Sequence, residues 1–366
     1  MKVVVIRVTI LWLSLANNVF GGVGGLADEA PTPGLQQEPQ IATFSIVARD
    51  PETGDYGVAV QSRYFAVGEV VPHAKAKVGA VATQARGNLL YGPQGLALLG
   101  EGLAAEEVIQ RLLAPDPLRD ERQVGVVDAV GRAASYTGDE CLAWAGSRIG
   151  AGYAVQGNLL AGPQVVDAIA TAFEATPGDF ATRLVYALAA GQAAGGDARG
   201  RQSAALLIVR EKGGYLGLTD RYIDLHIEDH ATPIRELARL LRIRQAQLIS
   251  ERAKALVSQA KKTRGPERAA LLGEAHRLTL SALEKHPSDD YGWWSLARIR
   301  MLEGRPQEAA LAAQRALLEN PAWRHLSVAN REGLGLSTEL LDALLGVESF
   351  NRVWHSLAAG SEAGAQ

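Results

Sequence analysis

Hydrophobic periodicity changes once along this chain, near Thr232, and that change limits the fold more than any other feature. Up to His230, short apolar runs alternate at period two, with helical stretches between them; beyond Thr232 the apolar residues recur only at helical spacing. Strands are predicted over 43–48, 56–61, 78–84, 123–129, 133–136, 153–156, 203–210 and 222–227, and helices over 92–99, 104–113, 163–175 and 180–192. Strand pairs and helix pairs that arrive in blocks point to a layered α+β domain rather than a doubly wound parallel sheet. The first pair is the clearest. In "TFSIVARDPETGDYGVAVQS" Thr43, Ser45 and Val47 share one face and Phe44, Ile46 and Ala48 the other, with Asp50, Pro51 and Gly54 marking the turn. The alternation reads as a half-buried strand, yet its polar side opens with two small hydroxyls.

The second region begins with a long helix whose Pro233 sits where a first-turn proline is tolerated. Further on, Glu274-Ala275 recurs as Glu308-Ala309, Ala282-Leu283 as Ala316-Leu317, and Pro287 as Pro321, each at a spacing of 34. Period and pattern resemble the tetratricopeptide repeat, in which stacked helix pairs bury small residues. About one and a half repeats fit between 231 and 322, followed by a helical cap and tail over 323–366. A surface of this kind suits a protein partner. Trp293 and Trp294 cannot both face inward equally, which leaves one for solvent or a partner.

Charge is uneven. The chain has a net charge of -3, with 18 basic and 25 acidic side chains up to His230 and 19 and 15 after it. Ten basic and only three acidic residues lie between Arg235 and Arg268. That run reads as a solvated helix face that can also dock on the acidic first region; nucleic-acid binding is set aside because no aromatic residues are interleaved for stacking. The N-terminus has a basic Lys2 and Arg7, an apolar run from Val8 to Ala16 and a small-x-small site, Gly25-Leu26-Ala27. It reads as a secretory signal over 1–27, followed by a Pro- and Gln-rich leader over 28–41, so an exported protein, periplasmic or extracellular, is expected. Retention as a signal anchor is the less favoured alternative, because Asn17, Asn18 and four glycines interrupt the uncharged run from Val8 to Leu26. A single cysteine, Cys141, excludes an intramolecular disulfide and is read as a structural thiol rather than a nucleophile.

Walker, dinucleotide-fingerprint, zincin and nucleophile-elbow motifs are missing from the sequence, so no metal or organic cofactor is implied. Polar residues in glycine-rich turns remain as candidates. Gln84 ends a strand and Asn88 enters a helix in "VATQARGNLLYGPQG", and Gln156 and Asn158 repeat the arrangement in "YAVQGNLLAGPQ". Such turns present backbone N–H groups and an amide to an anion, or the asparagines simply shape the turn. In "GGDARGRQS", Asp197, Arg199 and Arg201 suit either a substrate carboxylate or an internal ion pair that pins the loop. Asp224, His226 and Glu228 share one strand face and are read as a solvated edge strand rather than a metal site.

Together "TFSIVARDPETGDYGVAVQS", "FAVGEVVPHA", "GAVATQA", "YGPQGLALL", "QVGVVDAVGRAASYTG", "YAVQGNLLAG", "GGDARGRQSAALLIV" and "YIDLHIEDH" resemble the bacterial domain of unknown function 1028, placed in the N-terminal-nucleophile hydrolase superfamily. The resemblance covers 42–230 and implies a four-layer αββα sandwich. Some members of that family carry an extra C-terminal domain proposed to bind peptidoglycan, so the resemblance adds a cell-wall partner as the other expectation for the helical region. It further implies a nucleophile at the head of the first strand whose own α-amine is the base; Thr43 matches that position, and Ser45 lies on the same face. An α-amine titrates near pH 8, whereas a peptide nitrogen does not, so cleavage between Ala42 and Thr43 is required. The resulting expectation is an amide-bond hydrolase acting on a small peptide or acyl-amino compound, with Asn88 or Asn158 as oxyanion donor and Arg201 as carboxylate clamp. The alternative is an inactive ligand-binding or scaffold protein. Homo-oligomerisation is compatible with either.

Overall fold

A computed structural model describes residues 43–334 and 336–362. The signal sequence and leader read above lie outside the described residues.

Two antiparallel sheets form the first region. The larger has the order β10-β9-β2-β1-β8-β7, built from β1 (Thr43–Arg49), β2 (Tyr56–Ser62), β7 (Gly146–Gly150), β8 (Tyr153–Asn158), β9 (Ser203–Val209) and β10 (Arg221–Ile227). The smaller has the order β3-β4-β5-β6, from β3 (Pro72–Lys75), β4 (Gly79–Ala85), β5 (Arg122–Val127) and β6 (Ala133–Thr137). The β1–β2 hairpin closes through Asp50, whose carboxylate accepts the Thr53 hydroxyl at 2.6 Å, and through Gly54 at a φ of 75°.

Val47, Val58, Val60, Ala80, Ala82, Val127 and Ala205 pack together between the sheets. On the outer face of the larger sheet, Phe44, Ile46 and Leu206 meet α4 (Gln164–Ala175) and α5 (Phe180–Ala193). Outside the smaller sheet, Val81, Val124 and Val126 meet α2 (Tyr91–Gly100) and α3 (Ala105–Leu113). A short α1 (Val67–Val70) packs on β9. Strand β1 is therefore covered on both faces, not half buried as its alternation suggests, because its hydroxyl face meets a second sheet rather than water.

Helix α6 (Pro233–Ala260) links the two kinds of structure. Its Ile234, Leu237 and Leu241 join the core under the larger sheet, and its later turns pack along α7 (Gly265–Lys285). The chain continues through α8 (Asp290–Leu302), α9 (Pro306–Glu319), α10 (Val328–Gly333), α11 (Thr338–Leu345) and α12 (Glu348–Glu362). Of the residues that recur at a spacing of 34, Ala275 and Ala309, Ala282 and Ala316, and Leu283 and Leu317 are buried, whereas Glu274 and Glu308 are half-buried and Pro287 and Pro321 exposed. Trp294 is buried against Trp323 and Phe350, while Trp293 is only half-buried and donates its indole N–H to the Pro287 carbonyl at 2.8 Å. No helix among the described residues is long and apolar enough to cross a membrane.

Candidate functional site

Strand register gathers the candidate residues. At one end of the larger sheet Ser203 lies opposite Ser62, Ser62 opposite Thr43, and Thr43 opposite Asn158. Two residues in along β1, Ser45 lies opposite Gln156. In the smaller sheet Gln84 and Gln123 are paired across β4 and β5. Sheet faces sheet here, so the two sets of polar side chains meet, and each of them is at most 2% exposed.

The hydrogen bonds form one connected cluster. Thr43 Oγ1 donates to Ser62 Oγ at 3.1 Å. Gln156 Nε2 donates to Ser45 Oγ at 2.6 Å, and Ser45 passes its proton donor on to Gln84 Oε1 at 2.6 Å. Gln84 Nε2 reaches Gln123 Oε1 at 2.8 Å and the Thr43 carbonyl at 3.3 Å. Asn158 Nδ2 also donates to Gln123 Oε1, at 3.0 Å, while Gln123 Nε2 donates to Thr137 Oγ1 and to the Gly157 carbonyl, both at 2.8 Å. These bonds offset most of the cost of burying amides, about 1–3 kcal/mol for each group left unpaired, although Gln156 Oε1 has no hydrogen-bond partner among the described residues. The side chains so joined are hydroxyls and amides, and none of these titrates near neutral pH.

The other predicted candidates occupy different settings. Asn88 donates to Asp116 Oδ2 at 3.2 Å and accepts the Leu90 N–H at 3.1 Å. Asp116 also accepts from Tyr91 at 2.7 Å and forms an ion pair with Arg122 at 2.9 Å. Burial alone would raise the Asp116 carboxyl, but the bonds from Arg122 and Tyr91 outweigh it and hold it well below the usual carboxylate range. Asn88 thus serves this structural cluster. Asp197, 2% exposed, accepts the Arg63 N–H at 2.9 Å and pairs with Arg199 at 3.0 Å, the internal ion pair that pins the loop. The loop adjoins the Thr43 row, for the Gln202 N–H donates to the Ser62 carbonyl at 2.9 Å. Arg201 is exposed and lines a separate cleft beside α5 and α6.

Burial pushes the Cys141 thiol up to about 11, and the thiol meets the Arg122 carbonyl at 3.4 Å, so it is a poor nucleophile at neutral pH. On the edge strand β10, His226 bonds to Asp224 at 2.9 Å and lies 3.5 Å from Glu228. Ser62 and Gln123 escape a reading by motif. Ser62 was within reach, because a hairpin turning at Asp50–Gly54 places it opposite Thr43. Gln123 was not, since only the meeting of two sheets brings it to Asn158.

Two antiparallel sheets faced by helices and closing on a cluster of buried hydroxyls and amides define an α+β protein with many helices added at its C-terminal end. The chain belongs to the family of unknown function DUF1028, whose model matches residues 43–237. It is similar to the crystal structure of protein SPO2555 from Silicibacter pomeroyi, also a DUF1028 protein, at 32% identity over 55% of this chain and 88% of that one, with a TM-score of 0.50. No curated protein matches the chain.

Proposed function

We propose that this chain is an exported amide-bond hydrolase of the N-terminal-nucleophile type, acting on a small peptide or acyl-amino compound. One observation carries the reading: Thr43 heads a central strand, and among the described residues the hydrogen-bonded cluster it joins offers hydroxyls and amides but no side chain suited to act as a base. A hydroxyl nucleophile then needs a base from elsewhere, and the α-amine of Thr43 supplies one once the Ala42–Thr43 bond is cut. The family match beginning at residue 43 is consistent with that boundary.

The amine takes the Thr43 Oγ1 proton as the oxygen attacks the amide carbonyl. The tetrahedral oxyanion is held by N–H donors, among which the Asn158 amide is the candidate at hand. The ammonium returns the proton to the leaving nitrogen, the C–N bond breaks, and a threonyl ester remains. Water, deprotonated by the same amine, hydrolyses that ester. Two sheets with helices on both outer faces fit the sandwich that this chemistry uses elsewhere. The buried alanines recurring through α7 and α9 support a tetratricopeptide-like stack for a protein or cell-wall partner.

Intact mass and N-terminal sequencing of the exported protein test the reading. A chain starting at Thr43, active on an amide library and silenced at least about a thousandfold by Thr43→Ala, is the expected result. A stable, homogeneous chain starting at Asp28 would overturn it. That outcome would favour the second reading, a ligand-binding or scaffold protein, which the closed hydrogen bonding of Ser45, Gln84 and Gln123 also fits.

A further inference from the structure

The basic run in the second region has a structural counterpart that the Thr43 chemistry does not use. Arg235, Ala238, Arg242 and Gln245 recur at helical spacing and form one face of α6. Facing them are Tyr186 and Gln192 of α5, Arg201 from the loop before β9, and Lys285 at the end of α7. These residues line a cleft of about 510 Å³, in the range of small-molecule sites.

Its charge is one-sided. Arg201, Arg235, Arg242 and Lys285 all line the cleft, and among the described residues no carboxylate does. Among the described residues none of these four forms an ion pair, whereas Arg239, one turn along α6, is paired with Glu236 at 2.6 Å, and Arg210, Arg300 and Arg305 also have acidic partners. Asp179, which is bonded to the wall residue Gln245 at 2.8 Å, lies outside the lining and also caps α5 through the Thr182 N–H at 2.9 Å. Lys285 reaches only the neutral Gln245 Oε1, at 3.5 Å. Four like charges converging on one concavity repel one another and attract a counter-charge, and low-dielectric walls strengthen both effects. Between the cations the wall is apolar, with Val185, Ala189, Pro233 and Leu241.

We propose that this cleft binds a small molecule carrying two or more oxyanion groups, phosphoester or carboxylate, on a partly apolar body. Guanidinium forks match either oxyanion in two-point contact, and a single carboxylate would leave most of the four cations uncompensated. The site is distinct from Thr43. It opens on the helix-covered side of the larger sheet, while the β1 face that carries Thr43 and Ser45 is the one from which Ser45 bonds to Gln84 of the smaller sheet.

Calorimetric titration of the full chain at low ionic strength, with pyrophosphate and with citrate separately, tests this. At least one probe should bind more tightly than about 1 mM. The double variant Arg235→Gln/Arg242→Gln should weaken that binding at least about tenfold, and Arg252→Gln/Lys262→Gln, which removes the same charge from exposed positions outside the cleft, by less than about twofold. Binding of pyrophosphate alone would assign the phosphate class of oxyanion, citrate alone the polycarboxylate class, and both the shared oxyanion chemistry. Failure of both probes, or equal weakening by the two double variants, would overturn the proposal.

Discussion

Gly125 shows how closely the Thr43 cluster is fitted. A methyl group at this position of β5 would lie 2.1 Å from Gln156 Oε1, so the glycine is what allows the Gln156 side chain to enter between the sheets and reach Ser45. Gly125→Ala is therefore expected to destabilise the chain by about 1–3 kcal/mol, the usual cost of overpacking a closed core. Gln156→Ala alone removes a donor from Ser45 and leaves a cavity. Joined in one chain, the two substitutions should cost less than their sum by more than about 0.5 kcal/mol, because shortening Gln156 makes room for the methyl. Urea unfolding of the two single variants and the double variant measures this, and strict additivity would mean that Gly125 is needed for some other reason. On the proposed hydrolase reading the same cycle also reports on chemistry: if Ser45 only supports Thr43, Gln156→Ala should lower kcat more than it changes KM.

The elements easiest to read were those with an apolar face fixed by local pattern. Helix α3 and the β1–β2 hairpin follow the sequence periodicity closely, as does α5, whose N-terminus is capped by Asp179. Two edge strands escaped. Strand β3 begins with Pro72 and ends at Lys75, and β7 runs from Gly146 to Gly150, so neither shows the alternation of a strand with a buried face. Edge position alone does not explain this, since β6 and β10 also have one partner each and are legible in the sequence; β3 and β7 differ in carrying a proline or glycines at their ends in place of an apolar face. The site was legible in part. Thr43, Ser45, Gln84 and Asn158 come together, but Asn88 and Arg201 do not join them, because the partners that claim Asn88 and the cleft that takes Arg201 are set by tertiary packing. Helix α6 makes the same point. Its sequence signals a new region at Thr232, yet Leu237, 0% exposed, packs into the core beneath the larger sheet. Leu237→Ala should accordingly cost about 2–5 kcal/mol and lower the unfolding midpoint of the sheet region. A loss below about 0.5 kcal/mol in guanidinium unfolding would mean that α6 belongs with the later helices alone.

Two histidines give the whole molecule opposing dependences on pH. The hydrogen bond to Asp224, with its negative charge and that of Glu228, raises the His226 pKa against the opposing effects of burial and Arg221. A raised folded-state pKa means stabilisation that is complete below the ordinary value near 6.5 and lost as pH rises through the folded one. His73 behaves in the opposite sense. Burial lowers its pKa against a backbone bond at Val70, and its ring packs so closely on Gly92 that a methyl there would lie 2.3 Å from it. Its contribution is therefore complete above about pH 6.5 and falls as pH drops toward the folded value. The two slopes lie on opposite sides of about pH 6.5, so in the intact chain they combine into a maximum near that pH, and single variants are needed to separate them. Relative to His226→Gln, the wild type should be more stable at pH 5.5 and lose that advantage by pH 8.5. Relative to His73→Gln, it should gain stability over the same interval. Urea unfolding across this range separates the two, and curves that stay parallel to wild type would mean that neither ring changes its protonation on folding. Asp116 adds a third limb at more acid pH. Its depressed pKa supplies stability above about pH 4 that is lost on acidification, and Asp116→Asn should remove that limb while leaving the histidine slopes in place.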